Sequence, residues 1–288
     1  MKPIKKKWTI QIEVTNACAN ECVNCSRFVG HHKKPYYMDL AVVERALDSL
    51  QGFRGGIGIM GGEPTLHPNF AAICDLMKRK VPPHKRLLWT AGYNWNKFEE
   101  IIRNTFGNNV IYNDHNDKTQ KHHPMLLSIS DVVKDTEYMK KLLDKCWVDQ
   151  RWSASINPKG CFFCEIAAAL DMLFEGPGGH PIERGWWEKG PEEFIGQQER
   201  YCRQCGACVP FVPVTLEDRH DIVSESNFRK LTYIDSPKLQ QNKVKVIKGR
   251  YSEQHISAAA ENWQPWNHLG IRGIEGTRKY RSKGVRFL

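Results

Sequence analysis

The first half of the chain alternates short apolar or alternating runs with longer stretches of helical periodicity. Trp8–Val14, Ile57–Met60, Arg86–Thr90, Asn109–Asn113, Met125–Ser130 and Arg151–Ile156 read as strands. Leu40–Leu50, Asn69–Lys80, Trp95–Thr105 and Thr136–Leu143 read as helices. In the first helix Val42, Val43, Ala46, Leu47 and Leu50 fall on one face, and Asp39 stands where an N-cap belongs. Strand–helix alternation predicts a parallel sheet with right-handed crossovers. Six strands fit an α/β fold of the partial (β/α)6 TIM-like barrel type better than a closed barrel of eight.

After Ile156 the pattern changes. The segment to about Leu231 is richer in Cys, Trp, Gly and Pro, and only Glu165–Phe174 reads clearly as a helix. The expected organisation is a barrel over residues 1–156, a cysteine-rich module over 157–231 and a basic extension over 232–288, with no internal repeat.

Composition narrows this picture. The chain has 288 residues, 41% of them hydrophobic, enough for one sizeable core plus a small appendage. No apolar run is long enough to span a bilayer, and the opening Met-Lys-Pro-Ile-Lys-Lys-Lys lacks a signal-peptide apolar core, so a soluble cytoplasmic protein with no membrane contact is expected. Ten cysteines, clustered at two- and three-residue gaps, favour metal ligation in a reducing compartment over disulfides. The formal charge is +10, and from Lys243 onward ten Lys and Arg face three Glu. That tail, with Trp263, Trp266 and Tyr280, reads either as a solvated surface or as a segment that contacts phosphates and stacks on bases of a nucleic acid.

The chemistry concentrates in two places. Cys18-x3-Cys22-x2-Cys25 follows the first strand. Three thiolates on one short loop can hold three irons of a [4Fe–4S] cluster and leave the fourth iron open to a small molecule. With no fourth Cys or His close by, a structural zinc site fits less well. Gly61-Gly62-Glu63-Pro64 follows the second strand. Its glycines permit close approach of a ligand to the backbone, at the strand ends where α/β barrels bind their ligands. Glu63 would accept a hydrogen bond from a ligand ammonium or orient the loop.

Together the two motifs resemble the radical S-adenosylmethionine (SAM) superfamily. The resemblance implies that the open iron chelates the amino and carboxylate groups of SAM. It implies that one electron from the cluster cleaves the sulfonium to a 5′-deoxyadenosyl radical, which abstracts a hydrogen atom from substrate. A flavodoxin- or ferredoxin-type reductant would supply that electron. Carried onto this sequence, SAM contacts fall on Gly61, Gly62, Glu63 and Pro64, and on Ser128 and Ser130. Thr90 joins them in Thr90-Ala91-Gly92-Tyr93-Asn94, which is similar to the family's Thr-Asn-Gly turn with Ala91 in place of Asn. The family often has an aromatic residue before the third cysteine. Here that residue is Asn24, so the adenine contact falls to Asn24 or to a neighbour such as Phe28.

Of the other cysteines, Cys74 shares an apolar helical face with Phe70 and Met77 and reads as a small buried hydrophobe. Two readings compete for the rest. Cys161-x2-Cys164 with Cys202-x2-Cys205 could form a four-thiolate zinc site. Alternatively Cys146, Cys164, Cys202 and Cys205 hold an auxiliary [4Fe–4S] cluster, with Cys161 and Cys208 spare or substituting. The second set resembles the Twitch module, a shortened SPASM domain, of radical SAM dehydrogenases. A fully ligated cluster there could take an electron from a substrate radical; zinc could not. The Gly/Pro-rich loop from Gly176 to Trp187 is expected to cap the barrel mouth, with His180 and Arg184 holding a substrate carboxylate or phosphate. The resulting expectation is a radical SAM enzyme acting on a small molecule or peptide. The alternative is a nucleobase-modifying enzyme that uses the basic tail and carries structural zinc. A non-enzymatic metal-binding module leaves Gly61–Pro64 unexplained.

Overall fold

The β-branched strand β1 (Thr9–Thr15) lies inside a six-stranded sheet rather than at its edge. The computed structural model describes residues 1–113, 121–210, 214–215, 219–250, 252, 254 and 256. On one side of β1 come β2 (Gly56–Gly61), β3 (Arg86–Thr90) and β4 (Val110–Tyr112), and on the other β6 (Ser153–Asn157) and β7 (Gly160–Phe162). All neighbours are parallel except β7, which returns antiparallel to β6 through a tight hairpin. The result is an α/β, partial TIM-like sheet whose edges are β4 and β7. Two small ladders complete the strands: β5 (Lys121–His122) with β8 (Val214–Thr215), and β9 (Asp221–Ser224) with β10 (Val244–Ile247).

Helices α1 (Leu40–Ser49), α2 (Phe70–Lys80) and α3 (Trp95–Phe106) connect the first four strands. Each buries an apolar stripe at helical spacing; in α2 it is Phe70, Ile73, Cys74 and Met77. Cys74 is fully buried and its thiol is pushed up to about 12 by desolvation, as a packing residue should be. Asp39 precedes α1, but its side chain caps nothing. Further on come α4 (Ile129–Val132), α5 (Thr136–Asp144), α6 (Trp147–Arg151) and α7 (Glu165–Leu173). The chain then forms α8 (Ile195–Cys202), α9 (Glu225–Tyr233) and α10 (Pro237–Gln240). One apolar core runs from the sheet through Phe162, Leu170, Phe194 and Tyr201, so the cysteine-rich segment packs on the same interior as the barrel. Among the described residues no helix is long and apolar enough to cross a membrane.

Two expectations are corrected. Met125–Ser130 is not a strand. It is a turn leading into α4, because its backbone groups bond across the molecule instead of along a ladder. Met125 O accepts from Gly206 N, Leu126 O from Ser224 N, and Ser128 N donates to Ser224 Oγ. The loop from Gly176 to Trp187 does not cap the C-terminal ends of the strands. Trp187 Nε1 donates to Ser49 O at the end of α1, and its ring meets Phe53, which precedes β2. The loop therefore covers the opposite end of the sheet. Trp263, Trp266 and Tyr280 lie outside the described residues.

Candidate active site

The C-terminal ends of β1 to β4 open onto a cavity of about 180 Å³. Cys18, Cys22 and Cys25 line it, with Gly61 and Gly62 from the end of β2 and Thr90 and Ala91 from the end of β3. The strand ends are held together by backbone contact. Gly62 N donates to Thr15 O (2.8 Å) and Glu63 N to Ala17 O (2.7 Å), so the Gly-Gly-Glu-Pro turn lies directly on the chain entering the cysteine loop. This gives the glycines a second purpose beyond ligand approach. A Cβ on Gly61, whose φ is +147°, would stand 1.9 Å from Thr15 O, and one on Gly62 would stand 2.4 Å from Ala17 O. Gly61→Ala is accordingly expected to cost about 3 kcal/mol, read as a shift in the urea midpoint of the iron-free protein. A loss below about 1 kcal/mol would show that the strand ends can part.

Glu63 is buried and fully engaged. Its Oε1 accepts from Thr65 N, Thr65 Oγ1 and Thr90 Oγ1, and its Oε2 accepts from Ala91 N. Of its two anticipated roles the hydrogen bonds serve the second: they lock the end of β2 to the end of β3. Pro64 starts the short 3-10 turn that follows. Ser128 and Ser130 are turned away from this cavity, and both hydroxyls bond Arg203 O, at 2.8 and 3.1 Å. Phe28 is buried in the core, whereas Asn24 lines the cavity with its Nδ2 buried and unpaired. His180 meets Phe194 edge-to-face and bonds Glu193 O, and Arg184 is exposed. Neither lines the cavity, because the loop that carries them sits at the other end of the sheet.

The Cys18 and Cys22 thiols resist ionisation. Burial pushes Cys22 well up, and the neighbouring Cys25 and Cys18 push it further. Burial likewise pushes Cys18 up to about 11. Three cysteines lining one cavity, two of them held as thiols by burial, make a donor set that a bound cation would draw into thiolate form, which is the condition an iron–sulfur cluster meets. Together with the orphaned amide of Asn24, the lining fits such a group and a polar ligand beside it.

The floor of the cavity is polar and charged. Arg27, two residues past Cys25, is buried between Glu13 and Glu165, at 3.4 and 3.0 Å, and donates to Gln11 Oε1 at 2.6 Å. Glu165 is tied to Ser153, and Glu13 accepts from Ser155 Oγ at 2.6 Å. Burial raises the Glu13 carboxyl, against the pull of Arg27 and Ser155. Arg27, Glu165, Met60, Trp89, Trp147 and Trp152 all line the cavity, so it has an aromatic wall above an ionic floor.

His122 and His123 also line it, with His122 Nδ1 2.7 Å from Val23 O and His123 Nε2 2.7 Å from Gly206 O. A ring nitrogen facing a carbonyl must donate, which fixes the tautomer. Burial pushes His123 down from 6.5 to about 4, and it lowers His122 as well. These rings are neutral in the fold and charge on unfolding. Their contribution is present above about pH 6.5 and is lost as pH falls towards 4, about 3 kcal/mol for His123 alone. Urea unfolding between pH 7 and 4.5 should show that loss, and His123→Gln should flatten it. An unchanged slope would place the acid sensitivity elsewhere.

The second cysteine group forms its own small cavity, lined by Cys146, Cys164, Cys202, Cys205 and Cys208. Cys146 and Cys164 stand at the N-termini of α6 and α7. Burial and then Cys146, Cys164 and Cys205 raise the Cys202 thiol, and burial with Cys146, Cys205 and Cys202 raises Cys208. Cys161 is not in this group. Its Sγ lies 3.6 Å from Pro181 O and its nearest charged influence is Glu183. The set gathered is thus the one with Cys146, plus Cys208, and not the pairing of two adjacent C-x2-C motifs. Among the described residues no three His, Cys, Asp or Glu side chains converge on a point where a single ion would sit.

Several lining residues carry little sequence signal. Arg27 could have been suspected from its place beside Cys25, and the run His122-His123 from its composition. Asp221, Lys238 and His31, which form a buried cluster beneath the cysteine loop, have no local motif at all.

Residues 12–142 match the model of the Radical SAM superfamily. Among solved structures, the chain is similar to BtrN in complex with AdoMet and 2-DOIA (19% identity, 68% of this chain and 87% of that chain, TM-score 0.45). It is also similar to BtrN in an open conformation (17% identity, 68% and 86%, TM-score 0.41). A third similarity is to hexahistidine-tagged anSMEcpe with bound AdoMet (12% identity, 84% and 51%, TM-score 0.23). No protein of curated function matches the chain.

Proposed function

Taking residues 12–142 as a radical SAM superfamily domain, we propose that this protein is an enzyme that binds SAM on a [4Fe–4S] cluster held by Cys18, Cys22 and Cys25. In this reading it oxidises a small polar molecule or a peptide side chain, and a second [4Fe–4S] cluster takes up one electron. The observation that carries the reading is the cavity at the strand ends, where Cys18, Cys22 and Cys25 share a lining with the buried Arg27–Glu165 ion pair. When bound, the cluster and SAM supply one-electron cleavage and hydrogen-atom abstraction.

The chain's own residues do the rest. Glu63 holds the β2 and β3 ends in register, so that Gly62 and Ala91 present backbone to the ligand. The amide of Asn24 offers a donor to the adenine side of the cofactor. Arg27 and Glu165 give a substrate one donor and one acceptor at fixed positions, and the indoles of Trp89, Trp147 and Trp152 exclude water. Cys146, Cys164, Cys202 and either Cys205 or Cys208 would hold the second cluster.

Anaerobically reconstituted protein given dithionite and SAM should release 5′-deoxyadenosine, and it should carry about eight irons per chain and no zinc. Cys202→Ala should retain about four irons and continue to cleave SAM. Failure of the intact protein to cleave SAM sinks the enzymatic reading. About four irons with bound zinc sinks the second cluster alone.

A further inference from the structure

The cysteine loop is braced from below by a segment far along the chain. Asp221, at the start of β9, accepts the Asn24 amide N–H on Oδ1 at 2.6 Å. Both of its oxygens accept from Lys238 Nζ at 2.9 Å, and Oδ2 lies 2.8 Å from His31 Nε2. Lys238 Nζ also donates to Cys22 O at 2.8 Å. His31 is held in turn by Ser236 Oγ at 2.7 Å, and Asn24 Oδ1 accepts from Ile222 N at 2.9 Å. Asp221 and Lys238 are each 2% exposed, and His31 is 1% exposed.

A buried ion pair is a poor source of stability, because desolvating two ions cancels most of their attraction. Packing alone would be served as well by apolar residues. What this pair does that apolar residues could not is hold two backbone groups of one turn, the carbonyl of Cys22 and the amide of Asn24. Asn24 sits at φ 48°, a left-handed conformation that asparagine tolerates, and its backbone N–H, its side-chain oxygen and the Cys22 carbonyl are all bonded by residues from 221 to 238. The turn between the second and third cysteines is therefore set from outside the loop. The pair also leaves a positive charge against Cys22 and a negative charge against Asn24.

We propose that Lys238 and Asp221 are positioning residues for the first cysteine set: they fix the Cys22–Cys25 turn and set, by opposed charges, the reduction potential of the cluster bound there. This rests on the reading that these cysteines hold a cluster. Reduction adds one negative charge to a cluster. A cation bonded to the ligand loop favours the reduced form and an anion disfavours it, and at low dielectric neither is well screened. Removing the two charges one at a time should therefore move the potential in opposite directions.

The test is a potentiometric titration of the holoenzyme, following the electron paramagnetic resonance signal that changes when SAM is added. Lys238→Met should shift that potential to more negative values, and Asp221→Asn should shift it to more positive values. Gly30→Ala supplies a variant that alters no charge. A Cβ there would stand 2.5 Å from Lys238 Cε and push the ammonium off its partners, so its shift should have the sign of Lys238→Met. In iron-free protein all three variants should speed amide exchange at Asn24 and Ile222. Potentials that do not move, or that move with the same sign in Lys238→Met and Asp221→Asn, overturn the electrostatic role. Unchanged exchange overturns the bracing role. If the unmodified protein binds no cluster, there is no potential to titrate and the functional reading fails, while the exchange measurement still tests the brace.

Discussion

On the proposed reading, Cys22→Ala is expected to reduce the release of 5′-deoxyadenosine from SAM to the background rate while leaving the proposed second cluster in place. Cys22 is the middle thiol of the three on the loop, and both neighbours act on it electrostatically. Two thiols cannot hold three irons of a cubane, so the variant should lose the whole first cluster and not a single iron. The remaining iron should fall from about eight to about four per chain, since Cys146, Cys164, Cys202, Cys205 and Cys208 line a separate cavity. Cys161→Ser is the matched control. That thiol bonds only Pro181 O and belongs to neither set, so iron content and SAM cleavage should be unchanged. Full SAM cleavage by Cys22→Ala would show that the open-iron site lies elsewhere.

The largest stability effect is expected at Arg27→Met, about 3–5 kcal/mol at neutral pH, measured by urea unfolding of the iron-free protein. The methionine fills much of the same space. It removes the cation between Glu13 and Glu165 and the donor to Gln11 Oε1. Two carboxylates would then share a buried floor with no counter-charge. Glu13 is already raised by burial, and Arg27 is the charge that opposes the rise, so its carboxyl moves further up in the variant. An acid whose folded value is raised loses stability as pH climbs through that range, so the deficit should be greatest at pH 7 and shrink towards pH 5. Adding Glu165→Gln should recover part of the loss. A deficit independent of pH and unaffected by Glu165→Gln would mean that Arg27 matters for packing and not for charge.

Much of the fold is legible in the sequence, and its omissions have physical causes. The alternation in Trp8–Val14 marks β1 correctly but does not say what its polar face meets. Both faces are buried, because Gln11 and Glu13 point at Arg27 while Ile10, Ile12 and Val14 pack in the core. Periodicity reports polarity and not solvent, so a polar barrel interior looks like a surface. Met125–Ser130 fails for a related reason: a buried apolar run with a β-branched residue reads as a strand, while its hydrogen bonds go to Gly206 and Ser224 far along the chain. The cysteine loop and Gly61–Pro64 are visible because their chemistry is local. Asp221, which bonds Asn24 across 197 residues, is not. Its role is created by the return of the chain, and no window of sequence contains both partners.

The residue after Cys164 is Glu165 and the residue after Cys146 is Trp147, and both line the cavity of the first three cysteines. At both places one peptide bond joins a residue of the first lining to a cysteine of the second. A substitution at Glu165 or Trp147 should therefore disturb the linings of both cavities at once.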